Sequence, residues 1–208
     1  MRELQAAGAR AWSLSLDVTE IESVIEFFRQ ARGVCGDIGH VVSAAGPAIP
    51  LCPLLEVEEA DFRRIMNTDV LGAFNILRQA IPLLENRGGG SITMFVTTAV
   101  LRTLENDSMS SVPKTAVTGL VRLAAREAGP RNVRCNAVAP GVIDAGIVHG
   151  SFTVSDVARQ VIGNCLDRTP MPRMGRPDEV AGLVDFLCSH AAAYINGQVI
   201  GIDGGYSA

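Results

Sequence analysis

The chain has 208 residues, which is enough for one domain with a sizeable core. Its net charge of −4 and the lack of a basic stripe with interleaved aromatics exclude nucleic-acid recognition and attraction to anionic membranes. The apolar stretches are too short to span a bilayer and no signal-peptide pattern opens the sequence, so we expect a cytoplasmic protein.

The sulfur and imidazole residues predict no metal site and no disulfide framework. The cysteine count is odd, the spacing is wide, and no CxxC pair occurs. We therefore expect the cysteines to be small core residues in a reducing compartment, and the three histidines to be isolated. These residues are Cys35, Cys52, Cys135, Cys165, Cys188, His40, His149 and His190.

The first quarter of the chain predicts a helix, a strand, a helix and a second strand. Residues 1–8 read as the end of a helix closed by a glycine. Alternating residues predict a strand over 10–18, and apolar residues at helical spacing predict a helix over 20–31. Residues 40–43 form a short apolar strand, and the small residues at 44–46 allow close approach of another group to the backbone.

Strands and helices continue to alternate through the rest of the chain. The predicted elements are a helix over 58–85 that breaks near its start, a strand over 91–97, a helix over 108–126, a strand over 132–139, helices over 154–165 and 177–189, and a strand over 195–202. This order predicts an α/β fold with a doubly wound parallel sheet and helices on both sides. No internal repeat interrupts it, so we expect a single domain over residues 1–208.

The helix over 108–126 carries two polar residues at a spacing that brings them together. Lys114 lies in its first turn, and Ser110 lies four residues earlier, so both would share one face if both were helical. A lysine near a helix N-terminus opposes the helix dipole. Its position therefore needs an explanation, although a solvated lysine is the ordinary alternative.

Eight segments together carry a resemblance to a known family. They are LDVTE at 16–20, VVSAAG at 41–46, NTDVLGAF at 67–74, GGGSITMFVTT at 88–98, SSVPKTAVTGL at 110–120, RCNAVAPGVI at 134–143, RMGRPDEVAGLVDFL at 173–187 and INGQVIGIDGG at 195–205. In this order they resemble the short-chain dehydrogenase/reductases along the whole chain. The resemblance implies a Rossmann-like sheet, NAD or NADP as cofactor, a small-molecule substrate, and a homo-oligomer, a dimer or tetramer, formed through the two longest helices.

The beginning of the chain departs from this family. Members of the family begin with a strand, a glycine-rich turn and a helix that hold the cofactor pyrophosphate, and they distinguish NAD from NADP after the next strand. Nothing in this sequence matches that first βαβ portion. We therefore expect the strand at 10–18 to pair directly with that at 40–43, which would expose apolar surface unless an oligomer covers it. A native shortening and a sequence that lacks its first segment are both open explanations.

The catalytic positions also depart from the family pattern. In the family a tyrosine exchanges a proton with the carbinol, and a lysine four residues later lowers its pKa and holds the nicotinamide ribose. By resemblance Lys114 takes the lysine position and Ser110 the tyrosine position. The family's serine falls on Thr98, or on Thr97 if the loop differs by one residue. The asparagine that anchors a water relay is Asp69.

These replacements change the proton chemistry that the site can perform. A serine hydroxyl is a much weaker acid than a phenol, so Ser110 can orient an oxygen but is a poor proton donor near neutral pH. Asp69 would stay ionised beside Lys114, or could become a general acid if it were desolvated alone. The two tyrosines, Tyr194 and Tyr206, fall in segments that are remote from the site in this family.

The resemblance also implies a set of cofactor contacts. Residues 43–46 replace the family's asparagine-rich turn, and Ala145 stands where a threonine usually meets the carboxamide. The expected cofactor-binding residues are Asp17, Val18, Ser43, Ala44, Ala45, Gly46, Lys114, Pro140, Gly141 and Ile143.

Two functions remain open from the sequence. The first is an NAD(P)-dependent oxidoreductase that reduces a small carbonyl or conjugated enoyl substrate with an atypical active site. The 2,4-dienoyl-CoA reductases are similar in having a small residue at the tyrosine position and, in one branch, an aspartate where Asp69 falls. The second is a catalytically inactive or cofactor-free relative that serves as a binding or assembly subunit.

Overall fold

A computed structural model describes residues 2–47, 49–146, 148–149 and 156–208. The described helices are α1 (Arg2–Ala6), α2 (Ile21–Cys35), α3 (Glu59–Met66), α4 (Gly72–Asn86), α5 (Ser108–Ala128), α6 (Asp156–Asp167) and α7 (Pro177–Cys188). The strands are β1 (His40–Ser43), β2 (Gly90–Phe95), β3 (Val133–Pro140) and β4 (Val199–Ile202). The first two residues of the helix predicted over 154–165 lie outside the described residues.

The four strands form one parallel sheet in the order β1-β2-β3-β4. Thr93 in β2 lies between Val42 of β1 and Asn136 of β3, and Val138 of β3 pairs with Ile200 of β4. Helices connect successive strands, as parallel pairing requires. The predicted α/β fold with a parallel sheet is therefore confirmed, and the carboxyl ends of all four strands meet at one edge.

Helices cover both faces of the sheet because consecutive strand residues point to opposite sides. Ala137 packs into the cluster formed with α2, α4 and α5, where Leu84 and Val121 are fully buried. Its neighbour Val138 packs into the second cluster, with Val180 and Leu187 of α7. In the part of the chain that the structure describes, no helix is long and apolar enough to cross a membrane.

The strand predicted over residues 10–18 is wrong. Residues 10–16 have no regular structure, and β1 lies at the edge of the sheet without a partner from this segment. Side chains hold the segment instead, since Asn75 Nδ2 donates to the Val18 carbonyl at 3.0 Å and Asp17 Oδ1 accepts from the Thr19 amide at 2.9 Å. The alternation therefore reflects packing against α4 and not strand pairing.

The last strand is shorter than predicted because amide side chains bond the backbone before it. The Cys135 amide donates to Asn196 Oδ1 at 2.9 Å, and the Gln198 amide donates to Asn136 Oδ1 at 3.0 Å. These bonds hold residues 195–198 against β3 in an irregular path. Regular pairing begins only at Val199.

Candidate active site

A cleft of about 850 Å³ opens at the carboxyl ends of β1, β2 and β3. Residues 44–46 form one side of it, residues 95–97 and 140–141 form its floor, and the apolar face of α7 closes the far wall. Carboxyl ends of parallel strands are the usual place for ligands in open α/β sheets. The fold therefore brings the predicted site residues to a position suited to binding.

Helix α5 delivers two of the predicted residues to this cleft. The Asp107 carbonyl accepts from the amides of Ser110 and Ser111 at 3.2 and 2.9 Å, so Asp107 is the N-cap and the helix begins at Ser108. Ser110 and Lys114 are then one turn apart on the same face, and both line the cleft. The shared face predicted from their spacing is confirmed.

Lys114 forms a buried ion pair with Asp69. The distance from Lys114 Nζ to Asp69 Oδ2 is 3.0 Å, and the two side chains are 15% and 4% exposed. Asp69 sits in a π-helical turn, Asn67–Leu71, which joins α3 to α4 and breaks the long helix near its start as the sequence predicted. Of the two alternatives for Asp69, the structure shows the paired one, so the condition for a lone general acid is not met.

The other oxygen of Asp69 lies beside Gly46. Asp69 Oδ1 is buried without a hydrogen-bond partner among the described residues. A Cβ atom on Gly46 would lie 3.5 Å from this oxygen and 3.7 Å from Lys114 Nζ. Both distances are ordinary van der Waals contacts, so the backbone at Gly46 packs directly against the ion pair.

The two candidate threonines differ in how their hydroxyls are used. Thr98 Oγ1 donates to Asp203 Oδ2 at 2.6 Å, so its hydrogen is directed away from the cleft. Burial acts to raise the pKa of Asp203, but hydrogen bonds from Ser207, Thr98 and Gly205 together lower it. Thr97 Oγ1 accepts from the Ala99 amide at 3.3 Å, and Thr97 lines the cleft. Thr97 is thus the threonine with a hydroxyl hydrogen to offer a ligand.

A second cavity of about 140 Å³ adjoins the cleft beneath Ser110. Thr97, Ser110 and residues 140–141 line both spaces, and Asp107 and Tyr206 line only the second. The expected remoteness of Tyr206 is therefore wrong, because the C-terminal turn after β4 folds back over α6. Tyr194, by contrast, is fully exposed.

Asp107 is a site residue that sequence reasoning missed. It is only 5% exposed, and burial raises the pKa of its carboxyl to about 7, although contact with the Ser110 hydroxyl acts to lower it. In the sequence it looks like an ordinary carboxylate before a helix. Nothing local distinguishes it, because its burial comes from α6 and the C-terminal segment.

The predicted cofactor residues divide between the cleft and other places. Ala44, Ala45, Gly46, Pro140, Gly141 and Ile143 line the cleft with Lys114. Ser43 lines a small neighbouring space that it shares with Asp69 and Lys114. Asp17 and Val18 do not line the cleft: hydrogen bonds from Thr19 lower the pKa of Asp17, and Val18 packs on Gly72. Their contact with the cofactor stays a prediction.

The comparisons with known proteins agree on one family. The model described as Enoyl-(Acyl carrier protein) reductase matches residues 1–207. The cis-4-hydroxycyclohexanecarboxylate dehydrogenase of Sinomonas cyclohexanicum is 33% identical over 207 residues, which cover 100% of this chain and 81% of that protein. The chain therefore belongs to the short-chain dehydrogenase/reductase family, whose named relatives are oxidoreductases.

Two solved structures are similar over nearly the whole chain. A 7α-hydroxysteroid dehydrogenase complexed with NADH and 7-oxo glycochenodeoxycholic acid has a TM-score of 0.84 and 30% identity, covering 98% of this chain and 77% of its own. An NAD⁺-bound xylitol dehydrogenase has a TM-score of 0.89 and 25% identity, covering 98% and 82%. Both are similar proteins that bind a nicotinamide cofactor.

The residues of the cleft fit the nicotinamide end of such a cofactor. The Lys114 ammonium, held by Asp69, faces space bounded by small residues at 44–46, and Asp69 Oδ1 lacks a partner. These are suitable groups for a ribose, whose hydroxyls both donate and accept. Among the described lining residues, Lys114 is the one cation, and no glycine-rich turn joins a strand to a helix there. The fit therefore covers the nicotinamide and its ribose.

Proposed function

We propose that this protein is an NAD(P)-dependent oxidoreductase that interconverts a small, largely apolar ketone and its secondary alcohol. The observation that carries the proposal is the buried pair of Lys114 with Asp69 at the carboxyl edge of the sheet, 3.0 Å apart. An ordinary surface lysine would be solvated, whereas this one is largely buried and lines a cleft of about 850 Å³.

The amino-acid composition supports a functional role for Lys114. It is the only lysine in the sequence, and the other 17 of the 18 basic residues are arginine. Arginine serves well in surface ion pairs, but its planar guanidinium cannot replace a compact ammonium in a confined site. Because the chain has lysine only at this position and arginine at every other basic position, we favour an active enzyme over an inactive relative.

The shape and chemistry of the inner cavity support the class of substrate. Its wall is mostly aliphatic, formed by Ile49, Leu51, Leu104, Val142, Val148, Val161 and Ile162. Described lining residues contribute no cation that would pair with an anionic substrate inside it. A neutral alicyclic body would fill this space, with its carbonyl at the mouth near Ser110 and Thr97. The names of two relatives, a cyclohexanecarboxylate dehydrogenase and a steroid dehydrogenase, agree with a ring-shaped substrate.

Each residue then has a role that its contacts allow. A nicotinamide cofactor held in the cleft would supply or accept the hydride. Lys114 would bind the nicotinamide ribose, while Asp69 holds the ammonium in place and offers Oδ1 as an acceptor. Thr97 donates its hydroxyl hydrogen to the substrate oxygen, and Ser110 provides a second hydroxyl on the same side. The aliphatic wall excludes water from the reacting carbon.

Cofactor binding is tested without turnover by calorimetry with NAD(H) and NADP(H). We expect binding in the micromolar range for one of the two pairs. Because Lys114 is the only lysine, labelling lysine with ¹³C at Cε gives one side-chain signal for this site. That signal is expected to shift on cofactor addition. Absence of binding to both pairs would instead favour the cofactor-free assembly subunit.

Turnover is tested with alicyclic ketones, and with dienoyl thioesters as the competing substrate class. We expect NAD(P)H oxidation with the ketones, and its loss in Lys114→Ala. Turnover with the thioesters but not with the ketones would contradict a ketone substrate and would favour reduction of a conjugated enoyl substrate. An exposed arginine outside the site, Arg122→Ala, serves as the control for a simple loss of charge.

A further inference from the structure

Beside threonine hydroxyls, which are as weakly acidic as a serine hydroxyl, the inner cavity contains three groups that could exchange a proton with a substrate oxygen. They are Ser110, Tyr206 and Asp107, and all of them line the inner cavity. The Ser110 hydroxyl is far too weak an acid on its own. Burial raises the pKa of Tyr206, and its hydroxyl contacts the Cys165 sulfur, so this phenol is a poorer acid than an exposed one. The carboxyl of Asp107 is the remaining group.

Asp107 occupies a position from which it can serve Ser110. It ends the loop before α5, three residues ahead of Ser110, and both residues line the inner cavity, where the Ser110 hydroxyl acts to lower the pKa of the Asp107 carboxyl. Ser110 in turn lines both the inner cavity and the main cleft. The Asp107 carboxyl and the Ser110 hydroxyl thus lead from the buried interior to the position that the tyrosine side chain would occupy in the family.

Among the described residues, the surroundings of Asp107 contain thiols and a phenol, and no ion pair. The backbone of Cys52 forms an isolated parallel β-bridge with that of Asp107. Cys165 of α6 is a second neighbour, and both burial and the charge of Asp107 raise the pKa of its thiol. Tyr206 closes the cavity from the C-terminal segment, with the Arg102 guanidinium over its ring at 5.1 Å. Within the described residues, no lysine or arginine forms an ion pair with Asp107; Lys114 is paired with Asp69.

We propose that Asp107 is the acid–base group of this enzyme and that the Ser110 hydroxyl relays its proton to and from the substrate oxygen. The inference rests on the proposed function, because it assigns the proton that ketone reduction requires. It replaces the missing phenol with a buried carboxyl from the loop before the helix.

The proton and electron balance of the step is simple. In reduction, a hydride from the reduced nicotinamide dinucleotide adds to the carbonyl carbon, and the C=O π bond breaks onto oxygen. Ser110 gives its hydroxyl proton to that oxygen and takes the proton of the Asp107 carboxyl. The products are the alcohol, the oxidised dinucleotide and an Asp107 carboxylate, which regains a proton from water. In oxidation the same steps run backwards, with the carboxylate as base.

The acid strength of Asp107 suits this role. Burial raises the pKa of its carboxyl from 3.8 to about 7, so both protonation states are available near neutrality. Below this pH the carboxyl holds the proton that reduction needs. Above it the carboxylate is present, so we expect reduction to slow and oxidation to accelerate as the pH rises through about 7.

The first test follows the carboxyl itself and needs neither cofactor nor substrate. The protein is labelled with ¹³C at the aspartate carboxyl, and the spectrum is followed from pH 4 to pH 9 in wild type and in Asp107→Asn. We expect one signal with a midpoint near neutrality that is missing in the variant. If the signal lost in the variant has the midpoint of an ordinary aspartate, the inference is overturned.

The second test compares pH–rate profiles with the same ketone and cofactor. General acid catalysis contributes about 10²- to 10⁴-fold, so we expect Asp107→Asn to lose turnover on that scale and to lose the pH break as well. The double variant Asp107→Asn/Ser110→Tyr introduces the phenol beside Lys114 and is expected to regain activity. A merely structural role for Asp107 would not be rescued by a tyrosine at position 110. The exposed change Asp167→Asn is the matched control.

The outcomes distinguish this inference from the proposed function. Equal rates of ketone turnover in the wild type and in Asp107→Asn would overturn only the role of Asp107. A double variant with no regained activity would also contradict it. A wild-type protein without any ketone turnover would overturn the proposed function, and the role of Asp107 with it.

Discussion

The Lys114–Asp69 ion pair is buried at the site, so we expect its removal to affect folding as well as binding. Both side chains are largely buried, so loss of one partner leaves an uncompensated charge. We expect Lys114→Met to lower the free energy of unfolding by about 3 to 5 kcal/mol. Urea unfolding followed by circular dichroism measures this.

The matched control removes both charges together. The double variant Asp69→Asn/Lys114→Met leaves no lone ion, so its loss of stability is expected to be clearly smaller than that of Lys114→Met. Equal losses in the two variants would contradict the ion-pair interpretation. Cofactor binding is expected to be weak in both.

Unlike the ion pair, the charged form of Asp107 lowers the stability of the protein, because burial disfavours the carboxylate. Its pKa is about 7 in the folded protein and 3.8 when unfolded, so below pH 3.8 both states are protonated and Asp107 has no effect. As the pH rises from there to about 7, only the unfolded state releases the proton, and stability falls. The full penalty is about 4 kcal/mol and is present above pH 7.

The variant Asp107→Asn should remove this dependence on pH. The free energy of unfolding of the variant minus that of wild type is expected to rise by up to about 4 kcal/mol between pH 4 and pH 8. Urea unfolding at the two pH values measures the change, with Asp167→Asn as the exposed control. An unchanged difference between variant and wild type at the two pH values would contradict the burial argument. Asp107 would then not be a carboxyl whose charged form is destabilised by burial.

At the level of elements, the start of α4 depends on a glycine. A Cβ on Gly72 would lie 2.7 Å from Val18 Cγ2, and Val18 is a buried, stiff, β-branched residue. This close contact packs the segment that was predicted to be a strand against α4. The π-helical turn that carries Asp69 ends at the same place, so the glycine also affects the site.

Two alanine substitutions test this contact. Gly72→Ala is expected to lower the free energy of unfolding by about 1 to 3 kcal/mol, because the new methyl group overpacks the contact. Gly119 lies on an exposed part of α5 with nothing within 4 Å of its missing Cβ. Gly119→Ala should therefore stabilise the protein by roughly 0.5 to 1 kcal/mol through helix propensity. Thermal unfolding would contradict the packing argument if both changes had the same sign.

For the whole molecule, the outer faces of α4 and α5 suggest contact with a second copy. Leu71 in the turn before α4, Phe74 in α4, and Val112 and Leu123 in α5 are apolar and are between 41% and 54% exposed. Together these side chains form an apolar surface over two adjacent helices, and such surfaces commonly mark interfaces. A dimer or tetramer through this surface is what the family resemblance implies.

Light scattering tests the assembly. We expect a dimer or tetramer for the wild-type protein, and a smaller species for Phe74→Glu/Leu123→Glu, because two buried charges would oppose association. Leu55→Glu, at an apolar residue that is 97% exposed in another segment, controls for added charge. A monomeric wild type would refute the proposed interface.

Much of the architecture followed from local pattern. The helical spacing of apolar residues located α2, α5 and α7 to within a few residues, and short apolar runs located β1, β2 and β3. The break in the long helix and the shared face of Ser110 and Lys114 were also predictable. These features depend on periodicity and side-chain size, which are properties of neighbouring residues.

Other features depend on groups that are distant in sequence. The alternation of residues 10–18 resembles a strand, but Asn75, 57 residues after Val18, bonds the backbone there instead. Tyr206 looked remote from the site, and only the return of the C-terminal turn over α6 places it in the inner cavity. Local pattern contains no information on either contact.

The sequence alone therefore predicted the family and, apart from the strand at 10–18, the order of the main elements, and it predicted Lys114, Ser110 and Asp69 as site residues. Tertiary structure alone decided that Asp69 pairs with Lys114, that Thr97 keeps a free hydroxyl hydrogen, and that Asp107 is buried beside Ser110. The physical reason is desolvation. The acid strength of a carboxyl depends on the segments that pack around it, and those segments come from distant parts of the chain.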